Sequence, residues 1–254
     1  MHTSQYRNFT IWIAILVILS LSTVTPAVAQ VGIAWDESTL TLIHANAGYG
    51  RMARMGKSEI VCCFESGGKV WVRTSEDNGA SWQSPTLVAD CLFGAATNPE
   101  ILKLANGDLL CSYNERPTDG THPFSIMVSS SNDGRHKWTS PRRLYSADRK
   151  FENGCWEPAA IQLPNGEVQL FFANESPYRA TAEQEITMLR STDSGTTWDG
   201  PKKVSFRIRK RDGMPVPLVL SGNKGIVLAI EDNEVGEFKP AIVYTSAKDN
   251  WMKG

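Results

Sequence analysis

Ser75-Glu-Asp77-Asn-Gly79-Ala-Ser-Trp82 recurs as Ser191-Thr-Asp193-Ser-Gly195-Thr-Thr-Trp198. Between them lies Ser131-Asn-Asp133-Gly-Arg135-His-Lys-Trp138, with Ser, Asp and Trp in register and Arg135 in the glycine slot. A worn fourth copy reads Ser246-Ala-Lys248-Asp-Asn-Trp251, and the Ser-to-Ser steps are 56, 60 and 55 residues. Each octamer has the chemistry of a turn between two strands. The aspartate folds back onto backbone N–H groups, glycine permits positive φ, and tryptophan covers the edge of the unit. A structural role follows, with Trp82, Trp138 and Trp198 predicted to be largely buried and remote from any reactive face.

The same strands surround each copy. Glu100–Leu104 leads through Asn106-Gly107, read as a two-residue hairpin turn, to Asp108–Tyr113, then Phe124–Ser129, the octamer and Arg142–Tyr145. The next unit repeats this with Ala159–Leu163, Asn165-Gly166, Val168–Ala173 and Ile186–Arg190. Short strands at even spacing without a long helical period predict an all-β propeller of four-stranded blades. About four blades fit, the last ending before its fourth strand, so the chain is expected to be truncated at its carboxyl end.

The amino terminus reads as an address. Arg7 precedes an apolar run, Ile11–Leu21, and Ala27-Val-Ala29 supplies a cleavage pattern. The run is well short of the about 20 residues a spanning helix needs. Residues 1–29 are therefore expected to be a signal peptide and 30–254 a partial propeller domain, secreted or periplasmic, with no stable membrane insertion. Net charge is −1, which gives no electrostatic basis for binding nucleic acid. Cys62, Cys63, Cys91, Cys111 and Cys155 form neither a disulfide framework nor a zinc spacing, and burial is expected of those in strand-like runs. No cofactor or metal is implied.

In a meander, the 1–2 and 3–4 turns share one face, so the second-strand exits and first-strand entries share the other. The exits read Phe64-Glu65, Asn114-Glu115-Arg116, Asn174-Glu175 and Glu231-Asp232. The entries read Asn98-Pro-Glu100, Trp156-Glu157-Pro158 and Arg211-Asp212-Gly-Met-Pro215, with Tyr49 and Tyr178 nearby. Carboxylates and arginines converging without histidine or cysteine suit glycoside hydrolysis by two carboxylates.

The octamers resemble the Asp-box of the sialidase (neuraminidase) superfamily, also called the BNR repeat. NPEILKLANGDLLCSYNERP, CWEPAAIQLPNGEVQLFFANES and RDGMPVP…GIVLAIEDN resemble its bacterial sialidase-annotated glycosidases and exo-arabinanases. The resemblance implies six blades in a full protein and an exo-acting, retaining glycosidase of carbohydrate metabolism, cleaving terminal sialic acid or arabinose-type sugars. Gly50-Arg51-Met52 stands where sialidases carry an arginine that grips the sugar carboxylate. The loop Glu65–Lys69 lacks the sialidase acid/base aspartate, whereas two glutamates match the exo-arabinanase type. These are Glu175 (or Glu157) and Glu231, with Glu175 expected as general acid and Glu231 as nucleophile, roles exchangeable. Arg51, Arg116 and Arg211 would hold substrate oxygens or a carboxylate, alongside Asn98, Glu100, Glu115, Trp156, Tyr178 and Asp212. The alternative is a non-catalytic propeller that binds glycans or proteins.

Overall fold

Runs of alternating valine, isoleucine, cysteine and aromatic residues form fifteen strands among the residues described by the computed structural model, 34–133, 136–232 and 239–252. The signal-peptide reading lies outside the described residues. The first blade is β1 (Gly48–Arg54), β2 (Ile60–Ser66), β3 (Lys69–Ser75) and β4 (Thr86–Asp90). The second is β5 (Gly94–Lys103), β6 (Leu109–Pro117), β7 (Ser125–Ser131) and β8 (Arg142–Ser146). The third is β9 (Cys155–Gln162), β10 (Val168–Asn174), β11 (Glu185–Ser191) and β12 (Asp199–Ser205). The fourth holds β13 (Asp212–Leu220), β14 (Gly225–Asp232) and β15 (Lys239–Thr245). Every blade is an antiparallel meander, and the first strands β1, β5, β9 and β13 neighbour one another in turn. This is the expected propeller arrangement of blades.

The octamers close the third-to-fourth strand turns as their chemistry requires. Ser75 Oγ accepts the Gly79 N–H at 2.7 Å, while Asp77 accepts the Ser81 N–H at 2.9 Å and its hydroxyl at 2.6 Å. Ser191, Asp193, Gly195 and Thr197 repeat the pattern. These hydrogen bonds hold the Asp77 and Asp193 carboxyls down at about 2. Trp82, Trp138 and Trp198 are half-buried rather than largely buried, with Trp138 and Trp198 packed against the edges of core clusters. It is the worn copy that buries its ring: Trp251 is 2% exposed and donates Nε1–H to Gln169 Oε1 at 3.0 Å.

The Asn-Gly turns are three-residue loops, not two-residue ones. Gly107 N–H reaches Leu104 O at 2.9 Å, and Leu104 N–H reaches Asp108 O at 2.8 Å. Only the glycine has positive φ, +94°, which makes a type I turn closed by a glycine bulge. Leu163–Glu167 does the same around Gly166. Between the blades lies the core: Val61, Cys63, Val72, Leu109, Cys111 and Tyr113 between the first and second, and Phe171, Met188, Leu228 and Ile230 among those between the third and fourth. All five cysteines are buried free thiols.

Candidate active site

A bulge breaks each first strand at one equivalent place. The register shifts between Gly48 and Arg51, between Thr97 and Glu100, across Glu157-Pro158, and between Gly213 and Val216. Four non-glycine residues with positive φ stand at those bulges: Tyr49 (+53°), Asn98 (+48°), Glu157 (+43°) and Met214 (+44°). A bulge re-aims a side chain, and side chains held in the left-handed region cluster at functional sites. Tyr49 and Met214, with Arg51, Glu100, Pro158 and Val216, line one cavity of about 170 Å³ that spans from β1 to β13.

Second strands hold two of these bulges, Asn98 and Glu157, from the preceding blade. Glu65 Oε2 accepts the Asn98 N–H at 2.6 Å, and Asn114 Oδ1 accepts the Glu157 N–H at 2.8 Å. Glu65 and Asn114 share one register position, opposite Gly48 and Thr97. Ala173 and Glu231 occupy that position in the later blades, opposite Trp156 and Gly213. The acidic exits therefore do not repeat at a single position. Glu115 stands level with Asn174 and Asp232, one residue on, and Arg116 with Glu175, two residues on. The supporting roles of Glu65 and Asn114 have a sequence signal only once strand register is known.

The charged residues arrive already paired. Arg51 Nε lies 3.5 Å from Glu100, and its guanidinium stacks on the Tyr49 ring at 4.2 Å. Arg116 hydrogen-bonds Asn98, lies 3.8 Å from Glu157, and sits 4.9 Å above the Trp156 ring. Arg211 pairs with Glu175, which also accepts Trp156 Nε1–H at 3.0 Å and is only 5% exposed. Burial raises the carboxyls of Glu157 and Glu175 above the usual range against the pull of Arg116 and Arg211, and pushes Glu100 up to about 7. Glu157 alone of the three is raised further by both Glu175 and Glu231. Glu231 itself borders an apolar hollow of about 290 Å³ with Met214, Val216 and Pro240.

The structure thus brings together Arg51, Asn98, Glu100, Arg116, Trp156, Glu157, Glu175, Arg211 and Glu231. Three candidates turn elsewhere. Glu115 meets Arg143 of its own blade at 3.6 Å. Tyr178 donates to Glu185 at 2.6 Å and stacks on Phe206 at 4.7 Å. Asp212 is fully buried against Ser205 and Arg207, bonded to Arg207 Nε at 3.0 Å. No group of three or more His, Cys, Asp or Glu among the described residues is placed to hold a metal ion. No helix among them is long and apolar enough to cross a membrane.

Residues 107–253 match the BNR repeat-like domain family. No curated protein matches the chain. The fold is similar to that of the GH93 α-L-arabinofuranosidase of Fusarium graminearum, solved with arabinobiose, at TM-score 0.67 and 18% identity over 81% of this chain. The α-L-arabinanase of Penicillium chrysogenum, also solved with arabinobiose, gives 0.68 and 17% over 81%. An endo-arabinase from Bacteroides thetaiotaomicron gives 0.56 and 15% over 77% of this chain and 73% of its own. The chain spans 64% of the length of each of the first two.

Proposed function

The chain belongs to the BNR repeat-like domain family, and on that premise we propose that it is a secreted or periplasmic exo-glycosidase acting on a neutral, arabinose-type sugar. One observation carries the reading: Glu157 is re-aimed by a left-handed bulge beside Arg116, and its carboxyl is raised by burial and further by the charges of Glu231 and Glu175. A general acid must hold its proton near neutrality, and burial beside other carboxylates provides this. Of the two alternatives for the acid, Glu157 is the better suited. Glu175 is occupied by Arg211 and Trp156 and serves to position them. Glu157 protonates the departing glycosidic oxygen while Glu231 attacks the anomeric carbon, forming a glycosyl ester. Glu157, now ionised, takes a proton from water, whose oxygen displaces Glu231 and gives the retained sugar.

The preference for a neutral sugar rests on charge. Arg51, Arg116 and Arg211 are each held by a carboxyl group of the protein itself, and Arg116 also by Asn98, so none of these three arginines presents an unengaged bidentate edge to a sugar carboxylate. Glu65 and Glu231 add further negative charge, which disfavours sialic acid. The similar arabinose-acting structures support the same substrate class. Incubating the purified chain with α-L-arabino-oligosaccharides and with sialyl-oligosaccharides, followed by NMR, tests this. Release of arabinose units as the retained anomer is expected. Release of sialic acid, or binding of arabino-oligosaccharide without cleavage, would contradict the proposal. Export is checked by amino-terminal sequencing of protein from the culture medium or periplasm, expected to begin at Gln30.

A further inference from the structure

Trp156 leads outward to an exposed aromatic ring. Phe151 lies in the 147–154 loop between β8 and β9, at the same end of the blades as Glu157 and Glu175. Its ring centroid is 4.8 Å from that of Trp156, and buried Phe124 meets it edge-on at 6.0 Å. Yet Phe151 is 67% exposed. The loop that presents it is fixed rather than draped. Gly154 N–H bonds Phe151 O at 3.1 Å, Asp148 N–H bonds Asn153 O at 3.2 Å, and the Asp148 carboxylate pairs with Arg179 of the following loop at 3.2 Å. Gly154 admits no side chain, because a Cβ there would lie 2.3 Å from the Trp156 ring. A large apolar ring is thereby held rigidly in water beside the site, with the exposed carboxylate of Glu152 next to it.

Building on the glycosidase reading above, we propose that Phe151 is the stacking floor of a subsite for the leaving side of the glycan chain. The connectivity sets the side. Phe151 packs on Trp156, Trp156 bonds Glu175 at 3.0 Å, and Arg116 bridges from 4.9 Å above Trp156 to 3.8 Å from Glu157. The path through Arg116 ends at the proton donor, Glu157, and the one through the Trp156 indole ends at its neighbour in the same blade, Glu175. The leaving group departs past the proton donor, whereas Glu231 attacks from the fourth blade. The C–H face of a sugar ring stacks on Phe151, and Glu152 accepts from its hydroxyls.

The test compares Phe151→Ala and Phe151→Trp with the parent chain on α-L-arabino-oligosaccharides of increasing length and on the arabinosyl fluoride, whose leaving group reaches no subsite. Phe151→Ala is expected to lower kcat/KM on the longer oligosaccharides about tenfold and to leave the fluoride within twofold, and Phe151→Trp to restore the oligosaccharide rate. Equal losses on both substrates, or an unchanged oligosaccharide rate, would overturn the subsite. If the parent chain cleaves neither substrate, the glycosidase reading fails on its own. Calorimetric titration with the uncleaved oligosaccharide then decides. Weaker binding by Phe151→Ala at unchanged Tm supports the platform, and unchanged binding refutes it.

Discussion

Asn114→Ala probes the joint between fold and site. Asn114 is fully buried, and its amide spans two blades by donating Nδ2–H to Cys155 O at 2.6 Å and accepting the Glu157 N–H at 2.8 Å. Alanine leaves both backbone groups buried without a partner, at about 1–3 kcal/mol each. Relief of the amide's own desolvation offsets part of this, and the small void left behind adds to it. A net loss of about 2 to 5 kcal/mol follows, a large share of the about 5–15 kcal/mol that a domain has. Urea unfolding at constant m-value reads the loss directly. Asn165→Ala, in an exposed turn on the opposite face, is the control and should cost less than about 1 kcal/mol. Because one orphaned group is the N–H of Glu157, activity should fall as well, since small misplacements of a reacting group are costly in rate. A loss below about 1 kcal/mol, or a large one with kcat/KM intact, would refute the reasoning.

Other substitutions have equally definite outcomes. Trp251→Ala should cost about 3 to 5 kcal/mol and half-buried Trp198→Ala roughly half as much, measured by denaturant midpoint. Equal costs would contradict the packing described. The Glu100 carboxyl, raised to about 7 by burial, keeps its proton in the folded state while the unfolded chain loses it near 4.5, so stability falls as pH rises from about 4.5 to 7. Glu100→Gln should abolish that fall, of roughly 3 kcal/mol, in melts across the window. An unaltered pH profile would remove Glu100 as its source. The rows Val216–Ala229–Ile242 and Leu218–Val227–Tyr244 form an exposed apolar face on the fourth blade, so the 254-residue chain should self-associate in sedimentation experiments. A monomer at all concentrations would contradict this.

The fold was legible because the octamer turn is local: Ser191, Asp193 and Gly195 satisfy one another within a few residues. Which face carries the carboxylates followed from strand order alone. What the sequence concealed was register. Glu175 and Glu231 both look like second-strand exits, but Glu175 is level with Arg116 and Glu231 with Asn114. The bulges were harder still, because Asn98, Glu157 and Met214 precede proline, which ordinarily steers a residue towards extended backbone. Here the interblade hydrogen bonds from Glu65 and Asn114 override that preference at two of the three. Local rules fail where side chains are re-aimed towards the site.

Azide rescue tests the central assignment most directly. Glu157→Ala and Glu231→Ala would each be incubated with an activated aryl arabinoside and sodium azide, and the product's anomeric configuration read by NMR. With Glu157 removed, azide should intercept the glycosyl ester on Glu231 and yield the retained glycosyl azide. With Glu231 removed, azide should take the nucleophile's place and yield the inverted one. The same configuration from both variants, or rescue of neither while Glu175→Ala is rescued, would contradict the assignment of Glu157 and Glu231.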